Sequence, residues 1–205
     1  IDFTSQLVNM NIGHQHPKLI QAIKDQADRL CMVAPGFAND RRGEAARLIV
    51  ERANRMGTVD RFAKVFFTNA GAEAVENCVR LARGHTGRSK ILSTYRSYHG
   101  GTAAAIGLTG EARRLENEPS VPGLVKFWGP YAYRSPFHSD SPEQECARAL
   151  QHLRDTITFE GPNKIAAIVL ESVVGTNGIL VPPDGYLEGV RALCDEFGIL
   201  WIADE

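Results

Sequence analysis

Apolar residues along the chain follow two rhythms. At Leu19, Ile20, Ile23, Ala27 and Leu30, and again at Cys146, Ala149, Leu150, Leu153 and Ile157, they recur every three or four positions, the spacing of a helix with one buried face. A further helix carries Leu187, Val190, Leu193, Cys194 and Phe197. Between the helical stretches stand short, nearly continuous apolar runs at 64–68, 89–95, 123–128, 164–171 and 199–203, as strands covered on both faces require. The punctuation agrees. Ser141 and Gln144 form a capping-box pattern with Pro142 at the first helical position and Gly161-Pro162 after the end, while Asp184 is a candidate N-cap and Gly198 a candidate terminator for the last helix. Alternating helices and strands predict an α/β fold with a mainly parallel sheet flanked by helices. No internal repeat or low-complexity segment interrupts it, and 129–142, with its Gly and Pro residues, reads as a surface loop.

Composition narrows the function. The 205 residues carry a formal net charge of −1, and the densest basic cluster, Arg41-Arg42 with Arg47, falls in a helical pattern that suits a solvated face, so no nucleic-acid partner is expected. No apolar run approaches the roughly 20 residues that span a bilayer, and no signal-peptide pattern opens the chain, so no membrane partner is expected either. Cys31, Cys78, Cys146 and Cys194 show no paired spacing, and the last three fall on apolar faces of predicted helices; reduced, buried thiols and a cytoplasmic location follow. The chain opens at Ile1-Asp2-Phe3 without Met and closes inside an apolar run, which reads as a segment of a longer protein.

Candidate chemistry gathers at the strand ends. Lys64 to Glu76 runs from a predicted strand through Gly71 and Ala72 into a helix, and backbone N–H groups and the helix dipole converge there to favour an anion such as a phosphate. A plain strand-to-helix turn has the same pattern. In parallel sheets ligands bind beyond the carboxyl ends of the strands. Thr68-Asn69, Tyr98-His99-Gly100-Gly101, Glu171 and Asp204 all follow or close such strands, so two carboxylates, an aromatic-His pair and an anion seat share one edge. His14-x-His16 lacks further ligands at suitable spacing, and no metal is expected.

In order along the chain, Gly13-His14-Gln15-His16-Pro17, Asn69-Ala-Gly-Ala-Glu-Ala-Val-Glu76, Tyr98-His-Gly-Gly-Thr102, Glu171-Ser-Val-Val-Gly-Thr-Asn-Gly178 and Ala203-Asp204-Glu205 resemble the signatures of the class III aminotransferases, here of the ω-amino acid type (subgroup II). The resemblance covers essentially the whole chain and implies the fold type I architecture of pyridoxal-phosphate enzymes. It implies that Gly71 and Ala72 hold the cofactor phosphate through their amides, that Tyr98 stacks on the pyridine ring, and that Asp204 faces the pyridine nitrogen. It places His99 and Glu171 in the same pocket, and His14 and His16 near a substrate entrance shared between subunits, where a structural turn competes as an explanation. It implies an amine donor, a 2-oxo acid acceptor and a homodimer. It also implies a division into an N-terminal segment at 1–40, belonging to a small domain and subunit interface, and an incomplete large cofactor-binding domain at 41–205.

Departures from the family pattern carry information. Ala70 stands where Ser or Thr is common and Ser172 where Pro is usual, changes that leave the backbone cradle in place. Thr176 stands where members that use 2-oxoglutarate often carry a glutamate, which points to pyruvate-like acceptors. The lysine that would hold the cofactor aldehyde as a Schiff base lies, in the family, past the strand that ends in the aspartate. Lys18, Lys24, Lys64, Lys90, Lys126 and Lys164 all stand in other contexts, so the 205 residues alone are expected to be inactive. A related pyridoxal-phosphate enzyme, such as an aminomutase or a decarboxylating transaminase, shares these motifs. A non-catalytic phosphate-binding module would lack a use for Tyr98 and Asp204, and the chain has neither a dinucleotide fingerprint nor a Walker motif.

Overall fold

The computed structural model describes residues 1–55, 57 and 61–205, which form two compact units, Ile1–Phe66 and Phe67–Glu205. The first unit holds a short helical turn α1 (Ser5–Val8) and the helices α2 (Pro17–Arg29) and α3 (Asp40–Asn54). Pro17 opens α2 with His16 at the N-cap, and the Asn39 side chain caps α3 by accepting from the Arg42 amide at 2.9 Å. His14 lies in a turn, its Nε2–H donating to Asp2 Oδ2 at 2.7 Å.

The second unit is built on a four-stranded, wholly parallel sheet in the order β2-β1-β3-β4, with β1 (Lys90–Thr94), β2 (Leu124–Phe127), β3 (Ile165–Glu171) and β4 (Leu200–Asp204). Helices α4 (Gly71–Thr86), α5 (Ala103–Leu108), α6 (Pro142–Glu160) and α7 (Tyr186–Phe197) cover it. Successive strand residues point to opposite faces, and the core divides accordingly. Val75, Val79, Ala105 and Leu108 of α4 and α5 pack on Ile91 and Val169, while Leu153, Ile157, Val190 and Leu193 of α6 and α7 pack on Leu92 and Ile168. Each of these larger side chains, withdrawn from water, stabilises the fold by about 1.5–3 kcal/mol.

Four of the five predicted strands form; the run at 64–68 does not. Phe66 and Phe67 are exposed there, and among the described residues no strand pairs with the segment. An apolar run reports a preference for extended backbone, but a strand also needs a neighbour to bond. The cap of α6 closes as expected, Ser141 Oγ accepting from the Gln144 amide at 3.3 Å, although Gln144 Oε1 reaches the Asp140 amide at 3.2 Å rather than that of Ser141. Asp184 is not the N-cap of α7. Gly185 takes that position at φ +82°, and the Tyr186 amide donates to Pro183 O at 3.1 Å, a turn that moves the helix entry one residue along. Gly198 ends α7 in the left-handed conformation, as expected.

The thiols are less uniform than the sequence implies: Cys194 is buried, Cys78 and Cys146 are half-buried and Cys31 is exposed. Periodicity assigns a face to a residue but not the depth of cover over it. The loop at 129–142 lies at the surface, tied down by the fully buried Glu145, which accepts from the Tyr131 amide at 2.6 Å and from the Ser135 hydroxyl. At the amino edge of the sheet, Arg88 Nη1 donates to the carbonyls of Ile165, Phe197 and Gly198, at 3.1, 3.3 and 2.9 Å. Arg83 likewise joins Ser89 O at 2.9 Å to Pro122 O at 3.1 Å. Backbone ends are thereby satisfied on that side, and the carboxyl edge is left for chemistry. No described helix is long and apolar enough to cross a membrane.

Candidate active site

The loop that follows β1 organises the carboxyl edge. Its turn begins with Arg96 at φ +60° and is held by Ser97, whose hydroxyl donates to Thr94 O at 2.7 Å and accepts from the Gly110 amide at 3.1 Å. Tyr98 and His99 then meet different strand ends, those of β3 and β4. The Tyr98 amide donates to Glu171 Oε1 at 2.9 Å, and Glu171 Oε2 accepts from the Gly175 amide at 2.8 Å, so one carboxylate joins the loop after β1 to the loop after β3. The His99 amide donates to the buried Thr109 hydroxyl at 3.0 Å. Its ring Nδ1–H donates to Asp204 Oδ2 at 2.7 Å.

Gly100 closes the arrangement onto α4. At φ +127°, a Cβ there would lie 2.6 Å from Ala72 Cβ and 2.9 Å from Ala72 Cα, so only glycine lets the loop rest on the first turn of that helix. The turn itself is bare. Ala70 at the N-cap offers no side-chain hydrogen bond, the first amides have no partner within the helix, and a Cβ at Gly71 would meet nothing within 4 Å. Glu73 reaches back to the Asn69 amide at 2.9 Å, and Glu76 Oε1 caps α5 by accepting from the Ala104 amide at 2.7 Å. The structure therefore brings Gly71, Ala72, Tyr98, His99, Glu171 and Asp204 to one edge. Among the described residues the Thr68 hydroxyl bonds locally, donating to Ala70 O at 3.1 Å. His14 and His16 belong to the other unit, and among the described residues no group of three His, Cys, Asp or Glu side chains is placed to hold a metal ion.

Charge and burial define what the edge can bind. The His99 side chain is 0% exposed and that of Asp204 23%. A carboxylate can only accept, which sets Nδ1 of His99 as the donor, and its buried Nε2 has no partner among the described residues. Asp204 Oδ1 has no hydrogen bond among the described residues, so this carboxylate is oriented by one oxygen and free at the other. Asp204 shares a face of β4 with Ile202, which packs against the α4 cluster, and burial and, secondarily, the Asp204 charge push the Cys78 thiol on α4 up. Open amides at a helix start, an aromatic ring and an oriented carboxylate suit a planar ligand with a phosphate and a protonated ring nitrogen.

Two parts of this edge were not apparent from the residues alone. Thr109 anchors His99 from beyond α5, and Arg113 lies over Tyr98 with its guanidinium carbon 3.8 Å from the ring centroid. Neither has a local spacing signature. A turn such as Leu108-Thr109-Gly110 at a helix end was the only available signal for the first.

The match to known proteins follows this geometry. The chain belongs to the class III aminotransferases, whose family model covers residues 1–205. Its fold is that of pyridoxal-phosphate-dependent enzymes in the same family. The taurine:2-oxoglutarate aminotransferase of Bifidobacterium kashiwanohense, solved with pyridoxal phosphate and glutamate, superposes with a TM-score of 0.93 at 43% identity, over 98% of this chain and 45% of that one. An amine transaminase from an uncultivated Pseudomonas species, also solved with pyridoxal phosphate, gives a TM-score of 0.89 at 32% identity, over 100% of this chain and 47% of that one. The acetylornithine aminotransferase of Corynebacterium efficiens is 35% identical over 100% of this chain and 46% of its own length. The chain thus spans about half the length of the relatives it matches, and those relatives act on different amines.

Proposed function

We propose that this chain supplies the cofactor cradle of an enzyme that transfers an amino group from an amine or amino acid to a 2-oxo acid. The family and the two complexes indicate pyridoxal phosphate as the cofactor. The observation that carries the reading is the His99–Asp204 contact, which aims a carboxylate with one free oxygen from the end of β4. In this reading the Gly71 and Ala72 amides bind the phosphate, and Tyr98 sets the plane of the ring. Asp204 keeps the ring nitrogen protonated, His99 holds Asp204, and Glu171 fixes the loop bearing Tyr98. When bound, pyridoxal phosphate supplies an electron sink for the substrate carbanion. The negative Asp204 next to the nitrogen makes that sink effective.

Proton transfer between substrate and cofactor carbons needs an amine at the carboxyl edge. Lys90 opens β1, Lys126 lies within β2 and Lys164 precedes β3, while Lys18 and Lys24 lie on α2 and Lys64 falls outside every strand. We infer that the 205 residues alone do not turn over. Turnover of an amine donor and a 2-oxo acid by a preparation whose intact mass matches only this chain would refute that. In the full-length protein, a yellow absorbance abolished by borohydride is the expected sign of bound cofactor, and its absence would refute the cofactor reading. A homodimer in the full-length protein is expected by sedimentation.

Thr176, exposed in the turn after β3, offers no carboxylate to pair with an arginine, which favours pyruvate over 2-oxoglutarate. A second reading, 2-oxoglutarate as acceptor, is favoured by the 43% identity to an enzyme named for that substrate. Parallel assays with the two acceptors on the full-length protein separate them by kcat/KM.

A further inference from the structure

Tyr98 is fixed at its backbone but not at its ring. Its amide is bonded to Glu171, yet among the described residues the hydroxyl makes no hydrogen bond, so no hydrogen bond sets the ring plane. What lies against the ring is Arg113, on the 3₁₀ turn Ala112–Asn117 that follows α5. The guanidinium carbon is 3.8 Å from the ring centroid, the separation of a stacked cation–π pair. Arg113 is held in turn by an ion pair with the Glu111 carboxylate, although its side chain remains 50% exposed. A planar cation stacked on one face leaves a single face of the tyrosine for any other planar group.

We propose that Arg113 is a positioning residue for the cofactor: stacked on one face of Tyr98, it holds the ring in the plane against which the pyridine lies. The inference rests on the cofactor reading given above. Arginine suits the task because its flat guanidinium covers an aromatic face, whereas the ammonium of lysine is a compact point charge. Among the described residues the Arg113 side chain makes no hydrogen bond or ion pair with Gly71, Ala72 or Asp204, so its effect passes through Tyr98.

The test is equilibrium binding of pyridoxamine 5′-phosphate, which needs no covalent lysine, to the full-length protein, read by fluorescence quenching together with the induced circular dichroism of the bound ring. Arg113→Ala is expected to weaken binding roughly two- to fivefold and to reduce the dichroism, with Arg113→Lys in between. In a Tyr98→Leu background, Arg113→Ala is expected to add no further loss. Unchanged or tighter binding by Arg113→Ala overturns the proposal, tighter binding meaning that the guanidinium occupies the face the cofactor needs. An equal loss with and without the Tyr98 ring overturns it too, since Arg113 would then act on the ligand directly. Absence of binding by the unmodified protein overturns the cofactor reading and this proposal together; normal binding by Arg113→Ala overturns this proposal alone.

Discussion

Glu171 stands level with Asp204 across the β3–β4 ladder, two carboxylates at neighbouring strand ends. They are kept apart in role by their donors. Glu171 takes backbone amides on both oxygens, from Tyr98 and Gly175, while Asp204 takes the His99 imidazole on one. Like charges this close raise each other's energy, and the donors offset that. The pairing gives the edge one carboxylate that joins the loops and one that keeps an oxygen free of hydrogen bonds among the described residues.

Glu171→Gln keeps the shape but replaces one acceptor with an NH₂ group, so one of the Tyr98 and Gly175 amides loses its partner. The expected cost is about 1.5–3 kcal/mol of stability, measured by urea unfolding, with weaker cofactor binding. An unfolding curve that coincides with the unmodified protein would show that the two amide bonds do not organise the edge.

Asp204→Asn alters charge and donor pattern at once. It is expected to lower transamination by the full-length protein by roughly 10²–10³-fold, the scale of losing one aimed electrostatic group. Asp204→Ala leaves the wholly buried His99 ring unpaired and is expected to cost about 1–3 kcal/mol of stability as well. Steady-state rates near those of the unmodified enzyme would remove Asp204 from the mechanism.

Two glycines at the same corner are expected to respond in opposite senses. Gly100→Ala drives a Cβ to 2.6 Å from Ala72 Cβ at a positive φ and should destabilise by about 1–3 kcal/mol. Gly71→Ala meets open space within a helix and should stabilise by about 0.4–1 kcal/mol. Thermal unfolding of both variants checks the pair; equal shifts would mean that loop and helix do not touch as described.

Lys126 gives the fold a pH dependence. Its ammonium donates to Ser93 Oγ, Gly107 O and Leu108 O at 2.8, 2.7 and 2.6 Å. Burial, and after it the Arg114 charge, pulls it from 10.5 down to about 7, with Glu118 opposing. The unfolded chain keeps this proton to about pH 10.5 and the folded chain releases it near 7. The cost of burying the charge is therefore present in full below pH 7 and relieved as pH rises toward 10.5. Unfolding free energy relative to Lys126→Met should thus be more favourable to the unmodified chain at pH 9 than at pH 6.5. A difference independent of pH would show that the group does not titrate in that window.

The sheet was readable because strands buried on both faces must be apolar throughout, and the runs at 89–95, 123–128, 164–171 and 199–203 each became a strand within a residue or two. The run at 64–68 had the same composition and no strand to bond, a condition that local pattern does not encode. Glu171 and Asp204 were legible as polar residues closing apolar runs. Their different partners were not, because Tyr98 and His99 are adjacent in sequence and which of them meets which carboxylate depends on the path of the loop after a turn that Arg96 enters in the left-handed conformation. Arg113 was invisible for a similar reason: stacking depends on how the chain returns over the loop after α5, not on spacing. Asp184 looked like a cap by residue type, but Gly185 supplied the geometry instead.

Arg88 binds three carbonyls at the amino edge, from β3 and from the end of α7, a full strand's length from Asp204 and Glu171. The domain therefore has a base joined through one side chain and a separate rim at the strand ends. The two edges are tied by different contacts: the base by Arg88, and the rim by Ser97, Gly100 and Glu171. A substitution at an exposed position of the loop at 172–182 leaves the carbonyls that Arg88 joins untouched.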